Sequence, residues 1–341
     1  MIITKTPFRI SFFGGGTDYP PWYREHGGAV ISTTIDKYCW ITCRALPPFF
    51  EHRSRIIYSR IENVKQIDEI EHPSARECIR FMGIKEGVEI HHDGDLPART
   101  GLGSSSSFTV GLLHAMYAHL GKMITKRQLA IEAIRVEQDI LRENVGSQDQ
   151  VSVAFGGLNH ITFSKDGNFS VDPIITSPER KMAIEDSLML FYTGISRIAS
   201  DVAAEQLKNM PDKRKELHEI RQMVDEGAKI LSGSSDLVEF GRLLHAGWML
   251  KKSLSNRIST PEIDSVYENA RRAGAVGGKL LGAGGGGFFV LFVEPHNRKR
   301  VKEALKNYLH VPFRFENLGS QVVYYEPYFS AKNEQLHEGD K

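Results

Sequence analysis

The sequence predicts an α+β protein built as two domains, and three observations lead there. A chain of 341 residues is long for one simple hydrophobic core. The first hundred residues read as strands, whereas helical periodicity dominates after Ser107. Strands and helices also arrive in blocks, without the strict alternation of a doubly wound parallel sheet. A boundary within Asn168–Asp186 divides the chain into residues 1–175 and 176–341.

Each element has its own reason. Ala29–Asp36 and Tyr38–Ala45 are rich in Ile, Thr, Trp and Val, and Arg55–Ser59 and Val88–His92 are similar, so all four read as strands. Pro73–Met82 reads as a helix stopped by Gly83. Leu112, Leu113, Met116, Tyr117 and Leu120 recur at helical spacing until Gly121. Thr125 with Gln128 forms a capping box for a helix reaching about Arg142. Strands return at Leu158–Phe163 and Leu188–Tyr192, followed by helices over Ser200–Leu231 and Asp236–Ser255. Thr260-Pro261 opens another helix, with proline at the first helical position, running to Gly274. The strand Phe288–Val293, the helix Asn297–Leu309 and a strand pair near Val311–Tyr325 complete the chain.

Bulk composition excludes several classes. Lys+Arg 43 against Asp+Glu 42 leaves a formal charge of +1, with no global pull toward nucleic acid or acidic membranes. Cys39, Cys43 and Cys78 form no CxxC pair, which reads as reduced cytosolic thiols and not as a metal site. Cys39 and Cys43 share one face of a strand and read as packing residues. The N-terminus has no secretion-signal pattern, and no apolar run approaches a membrane span, so the expected address is the cytoplasm, with no membrane partner. Homo-oligomerisation is left open. The anomaly is glycine: 31 residues, bunched at Gly14–Gly16, Gly101–Gly103 and Gly274–Gly287. Such clusters mark backbone that a ligand or another segment approaches closely.

The middle cluster, Pro97-Ala-Arg-Thr-Gly-Leu-Gly-Ser-Ser-Ser-Ser107, feeds glycines into a helix N-terminus. That arrangement offers backbone N–H groups and a helix dipole to a phosphate. The serine hydroxyls can donate to phosphate or ligate Mg²⁺. No GxxxxGK[ST] is present, so this is not a Walker loop; a tight turn with a serine N-cap is the plainer reading. Glu137 falls on an apolar stripe with Ala130, Ile134 and Leu141, where a carboxylate needs either an arginine or a metal. Asp149, in Gly146-Ser-Gln-Asp-Gln150, sits in a helix first turn by virtue of a Ser147/Gln150 capping box. It either complements the helix dipole or deprotonates an attacking hydroxyl. Near the start, Arg9, Gly14, Gly15, Gly16, Thr17 and Asp18 offer short polar groups amid glycine, suited to a sugar or to a hairpin loop with an ordinary ion pair. The run Gly277–Gly287 enters a core strand directly, so it contacts a ligand or another loop closely instead of acting as a linker.

In this order, the three loops resemble the three motifs of the GHMP kinase superfamily, from Pro7 to Phe289. The resemblance implies a two-domain α+β fold with the active site between the domains, and ATP with Mg²⁺. It implies that Pro97, Gly101, Leu102, Gly103, Ser104, Ser105, Ser106 and Ser107 wrap the ATP phosphates, with Ser105 and Glu137 as the metal ligands. By the same resemblance Asp149 is the catalytic base, Arg9 pairs with it, and Gly14–Asp18 with Gly284 and Gly285 hold the substrate. Gly14-Gly-Gly-Thr-Asp-Tyr19 departs from the Gly-Glu-His-Thr-Asp-Tyr of galactokinases, which counts against galactose. Phe13–Pro20 followed by Tyr23-Arg-Glu-His-Gly-Gly28 is similar to bacterial heptose 7-phosphate kinases. These phosphorylate an anomeric hydroxyl on the way to nucleotide-activated heptose for surface polysaccharide. Fucokinase-type members share part of the pattern. A 7-phosphate would need a cationic pocket, for which Arg24, Lys37 and Arg44 are the candidates.

Overall fold

A computed structural model describes residues 1–195 and 199–327. Two antiparallel-dominated sheets organise it. The larger is nine-stranded. Its spine begins with β1 (Ile2–Phe13), paired along nearly its whole length with β2 (Gly28–Ala45). The two strands read from sequence are one strand, because the break near Lys37 is a bulge: Pro7 faces Tyr38 while Phe8 faces Ile35. A short helix, α1 (Pro20–His26), fills the loop between them. Next come β3 (Ser54–Ile57), β4 (Ile61–Val64), α2 (Pro73–Met82) and β5 (Val88–Gly94). Gly83 ends α2 in the left-handed conformation, at φ 65°, as its position promised. Cys39, Cys43 and Cys78 are all buried and unbonded, in keeping with a packing role.

Helices cover one face of this sheet. These are α3 (Ser104–His119), α4 (Lys126–Ile134) and α5 (Gln148–Phe155), followed by the hairpin β6 (Asn159–Phe163) and β7 (Phe169–Pro173). The helix expected to run to Arg142 does not continue as an α-helix. It passes into a π-helical stretch, Arg135–Ile140. Thr125 does cap α4 through the Gln128 N–H, but the Gln128 side chain turns to Glu132, so only half the capping box forms.

After α6 (Pro178–Ser187), β8 (Leu188–Tyr192) starts a four-stranded antiparallel sheet. The single helix read over Ser200–Leu231 is two, α7 (Ala199–Asn209) and α8 (Arg214–Ser232), broken around Pro211. Then come α9 (Val238–Ser253), α10 (Pro261–Arg272), β9 (Ala275–Leu280), β10 (Phe288–Val293) and α11 (Arg298–Ala304). Thr260 caps α10 by accepting from the Ile263 N–H. The last strands are not a pair. β11 (Leu309–Val311) closes the second sheet against β8, whereas β12 (Phe315–Glu316) and β13 (Gln321–Tyr325) return to β2 and β1. The chain's last strands therefore belong to its first sheet. Among the described residues no helix is long and apolar enough to cross a membrane.

Candidate active site

The serine-glycine loop lies where β1, α3 and the turn between β9 and β10 meet. Gly103 takes the left-handed conformation at the head of α3, at φ 75°, and the first turn of that 16-residue helix carries Ser104 to Ser107. Three of the four hydroxyls are committed to the protein. Ser104 accepts from the Arg99 N–H, Ser106 donates to Glu137 at 2.9 Å, and Ser107 donates to the Pro7 and Gly103 carbonyls. Ser105 is exposed and has no such partner among the described residues. Ser105 and Glu137 are expected to share a Mg²⁺; the hydroxyl that touches Glu137 directly is that of Ser106. Thr100 and Leu102 are buried, and Pro97 is exposed at the loop's start.

Glu137 is 1% exposed, and its position comes from the π-helical stretch, a device frequent at functional sites. Among the described residues no arginine satisfies it. Its Oε2 accepts from Ser106 and from Gln150, while Oε1 has no partner. Burial pushes its pKa up to about 7, against the lowering effect of those donors. A buried carboxylate with an orphaned oxygen fits a cation. No cluster of three His, Cys, Asp or Glu exists among the described residues. A Mg²⁺ here would therefore have Glu137, a serine hydroxyl and nucleotide phosphates as its ligands, the manner in which Mg²⁺ commonly binds.

Asp149 lies in the first turn of α5 as expected, but for a different reason. Ser147 makes no capping bond; its hydroxyl meets Tyr23 and Gln138. The helix is started instead by Asp18, whose carbonyl accepts from the Ser147 N–H at 2.9 Å and whose carboxylate lies 3.4 Å from the Gln148 N–H. Arg9 grips Asp149 in a fork: Nε to Oδ1 and Nη2 to Oδ2, both at 2.7 Å. Its Nη1 donates to the Gly101 carbonyl at 2.5 Å, and its own N–H bonds the Leu102 carbonyl, so one arginine ties the aspartate to the serine-glycine loop. Arg9 is 3% exposed, whereas the Asp149 side chain keeps 23%. The carboxylate that would take a proton is reachable, and the cation behind it is not.

In the first loop, Thr17 is consumed internally, donating to the Gly14 and Ala29 carbonyls. Asp18 is buried, accepts from the Gly16 N–H, and has its pKa raised chiefly by desolvation. Gly14 has no room: a Cβ would sit 1.9 Å from the Ala29 carbonyl oxygen. Gly15 does have room. Its nearest neighbours are the Gln148 amide at 3.7 Å and the Ser11 hydroxyl at 3.9 Å. Among the described residues Ser11 Oγ and Gln148 Oε1 are both buried without partners, which leaves them open to an acceptor hydroxyl. Neither was singled out from sequence, since nothing local distinguishes an isolated serine on a strand.

The third loop's glycines serve another loop. A Cβ on Gly101 would lie 2.3 Å from the Leu281 carbonyl oxygen, and one on Gly287 2.2 Å from that of Thr100. Gly284 packs on Ile258, and the Gly285 N–H is spent on the Ile258 carbonyl. The pair expected to hold substrate is thus engaged with the chain. Arg44 pairs with Glu89 toward the far end of β2, Lys37 with Asp36, and Arg24 is exposed on α1, so the structure does not gather these three into one pocket. It instead brings Lys251 and Lys279, both buried, to the site; neither was anticipated.

The model described as GHMP kinases N terminal domain matches residues 71–157, and that described as GHMP kinases C terminal matches residues 220–311. The chain belongs to the GHMP kinase superfamily. As such it is an ATP-dependent kinase, and its two-sheet fold is that of the family. This GHMP kinase is 28% identical to the D-glycero-alpha-D-manno-heptose 7-phosphate kinase of Campylobacter jejuni, over 89% of this chain and 93% of that one. It is also 28% identical to the galactokinase of Pyrococcus furiosus, over 90% and 94% of the two chains. Among solved structures, a D-glycero-D-manno-heptose 1-phosphate kinase from Bacteroides thetaiotaomicron matches with a TM-score of 0.78 at 24% identity, covering 97% of this chain and all of that one. Lactococcus lactis galactokinase complexed with galactose matches at 0.71 and 18%, over 94% of each chain.

Proposed function

We propose that this kinase transfers the γ-phosphoryl group of ATP to the anomeric hydroxyl of D-glycero-D-manno-heptose 7-phosphate, giving the 1,7-bisphosphate for nucleotide-heptose and surface polysaccharide synthesis. The observation that carries the transfer itself is the forked Arg9–Asp149 pair joined to the serine-glycine loop through Gly101. The nature of the acceptor rests on the likeness to the Campylobacter heptose kinase and on the first loop, which lacks the Glu-His of galactokinases.

In this reading the phosphates of ATP lie along Gly101–Ser107 against the N-terminus of α3. Bound Mg²⁺, held by Glu137 and a serine hydroxyl, would supply charge neutralisation to the phosphates. Asp149 accepts the proton of the anomeric hydroxyl as that oxygen bonds to Pγ and the bond from Pγ to the bridging oxygen breaks, releasing ADP. Arg9 orients the Asp149 carboxylate through the two-point fork and stands as its counter-charge. Gly15, Ser11 and Gln148 line the acceptor side. An ADP-release screen across heptose 7-phosphate, free heptose, mannose, fucose and galactose tests the choice of acceptor. Preference for heptose 7-phosphate is expected; equal turnover of free and phosphorylated heptose overturns it. The fucokinase and galactokinase relatives make a free sugar the rival outcome.

A further inference from the structure

Two lysines that this transfer scheme leaves unused converge on the acceptor side of the site. Lys251 lies in the last turn of α9 and Lys279 on β9. The two elements lie very close: a Cβ on Gly277 of β9 would come within 1.8 Å of the Gly241 carbonyl oxygen of α9. Both lysines line a narrow cavity with Phe13, Gly14, Gly15 and Met223.

Among the described residues neither ammonium is paired with a carboxylate. Lys251 Nζ donates to the Leu280 carbonyl at 3.3 Å and to that of Gly282, and Lys279 Nζ donates to the Phe12 carbonyl at 2.9 Å. An ammonium carries three N–H donors, so half of the available donors are used. The surrounding charges do not balance the pair. Arg9 is a third cation; Asp149 is committed to Arg9, and Asp18 to the Gly16 and Gln148 N–H groups. Burial chiefly, with repulsion from Arg9, holds the Lys251 pKa down to about 8 and that of Lys279 well below the ordinary lysine range, so a bound anion is what would keep both charged. Mere struts for main-chain carbonyls would not explain this, because a neutral amide would hold those carbonyls without mutual repulsion.

We propose that Lys251 and Lys279 form a phosphate-binding subsite beside Gly14 and Gly15, on the acceptor side of Asp149. The proposal rests on the kinase reading above and names residues that reading lacks. The same chemistry has two sources, the phosphate already carried by the acceptor and the phosphoryl group in transfer.

Kinetics of Lys251→Met and Lys279→Met in the full chain separate them, with melting temperature and circular dichroism as the check on folding. If the subsite holds the acceptor's own phosphate, KM for heptose 7-phosphate rises roughly 10- to 100-fold, the loss of one charge-assisted hydrogen bond. KM for ATP and turnover of free heptose then stay within about two-fold. If it holds the transferring group, kcat falls roughly 10²- to 10³-fold on either acceptor at unchanged KM. Folded variants that keep all constants within about two-fold overturn the subsite. Lys251→Gln, which retains a donor for Leu280 and Gly282, serves where the methionine variant does not fold. Failure of the heptose reading is distinguishable, since the wild type would then prefer another sugar in the same assay. Inorganic phosphate supplies a readout independent of turnover: it should raise the melting temperature of the wild type, and do so less for Lys251→Met. Equal shifts in the two proteins count against the proposal.

Discussion

Replacing Glu137 with glutamine separates metal binding from structural support, because the two roles predict opposite changes in stability. The wild-type carboxylate is buried, one oxygen has no partner among the described residues, and burial pushes its pKa up to about 7 from an ordinary 4.5. Between those values the unfolded chain releases the proton while the folded chain retains it. The unfolded state therefore binds fewer protons, and stability falls as pH rises from 4.5 toward about 7. That gap corresponds to about 3 kcal/mol of destabilisation above pH 7 in the protein without metal. Glu137→Gln removes the buried charge and keeps the shape. In the absence of Mg²⁺ and nucleotide, the variant should therefore melt higher than the wild type at pH 8, with the difference shrinking toward pH 5. Activity should move the other way, falling by at least about 10-fold with a weakened apparent affinity for Mg²⁺. Scanning calorimetry across pH, with an ADP-release assay titrated with MgCl₂, reads both effects. A variant that melts lower at pH 8 by a pH-independent amount, with unchanged Mg²⁺ dependence, would refute the assignment.

Other expected outcomes follow from the same geometry. Asp149→Asn should lower kcat by roughly 10²- to 10⁴-fold while ATP binding, read by calorimetric titration, persists; turnover within a few-fold of wild type would remove Asp149 as the base. Gly101→Ala places a methyl 2.3 Å from the Leu281 carbonyl oxygen at a φ of 85°, so it should lower stability by about 1–3 kcal/mol or more and loosen the nucleotide site. Gly83→Ala, at φ 65° but with nothing within 4 Å, should cost about 1 kcal/mol and leave kinetics alone. Gly15→Ala should be nearly neutral to melting, since its nearest neighbour is 3.7 Å away, yet raise KM for the acceptor; an unchanged KM would place the acceptor elsewhere.

Much of this molecule is written locally. Helix α2 with its Gly83 cap, strand β8 and strand β10 coincide with their readings because each is delimited by its own punctuation or by a continuous apolar run. Arg9, the serine-glycine loop and Asp149 were legible through their resemblance, in that order, to the motifs of the GHMP kinases; Asp149 taken alone reads as easily as a helix-dipole partner. Boundaries failed where distant contacts override local preference. β2 runs through the expected break because β1 pairs along it, and Ser147 does not cap α5 because Asp18, 129 positions earlier, supplies the acceptors.

The sequence by itself therefore determined the loops and the family they resemble, and through that resemblance pointed to Arg9 and Asp149 as a pair. Only the tertiary structure decided how those loops are used. Three of the serines turned out to serve the protein, and the third loop's glycines exist so that its backbone can touch Gly101 and Thr100. Lys251 has no local signature at all. A lysine in the last turn of an amphipathic helix reads as solvated, and becomes a buried cation only when α9 is laid against β9. The physical reason is common to these cases: burial and unpaired charge are properties of the packed assembly, whereas turn geometry and periodicity belong to the chain.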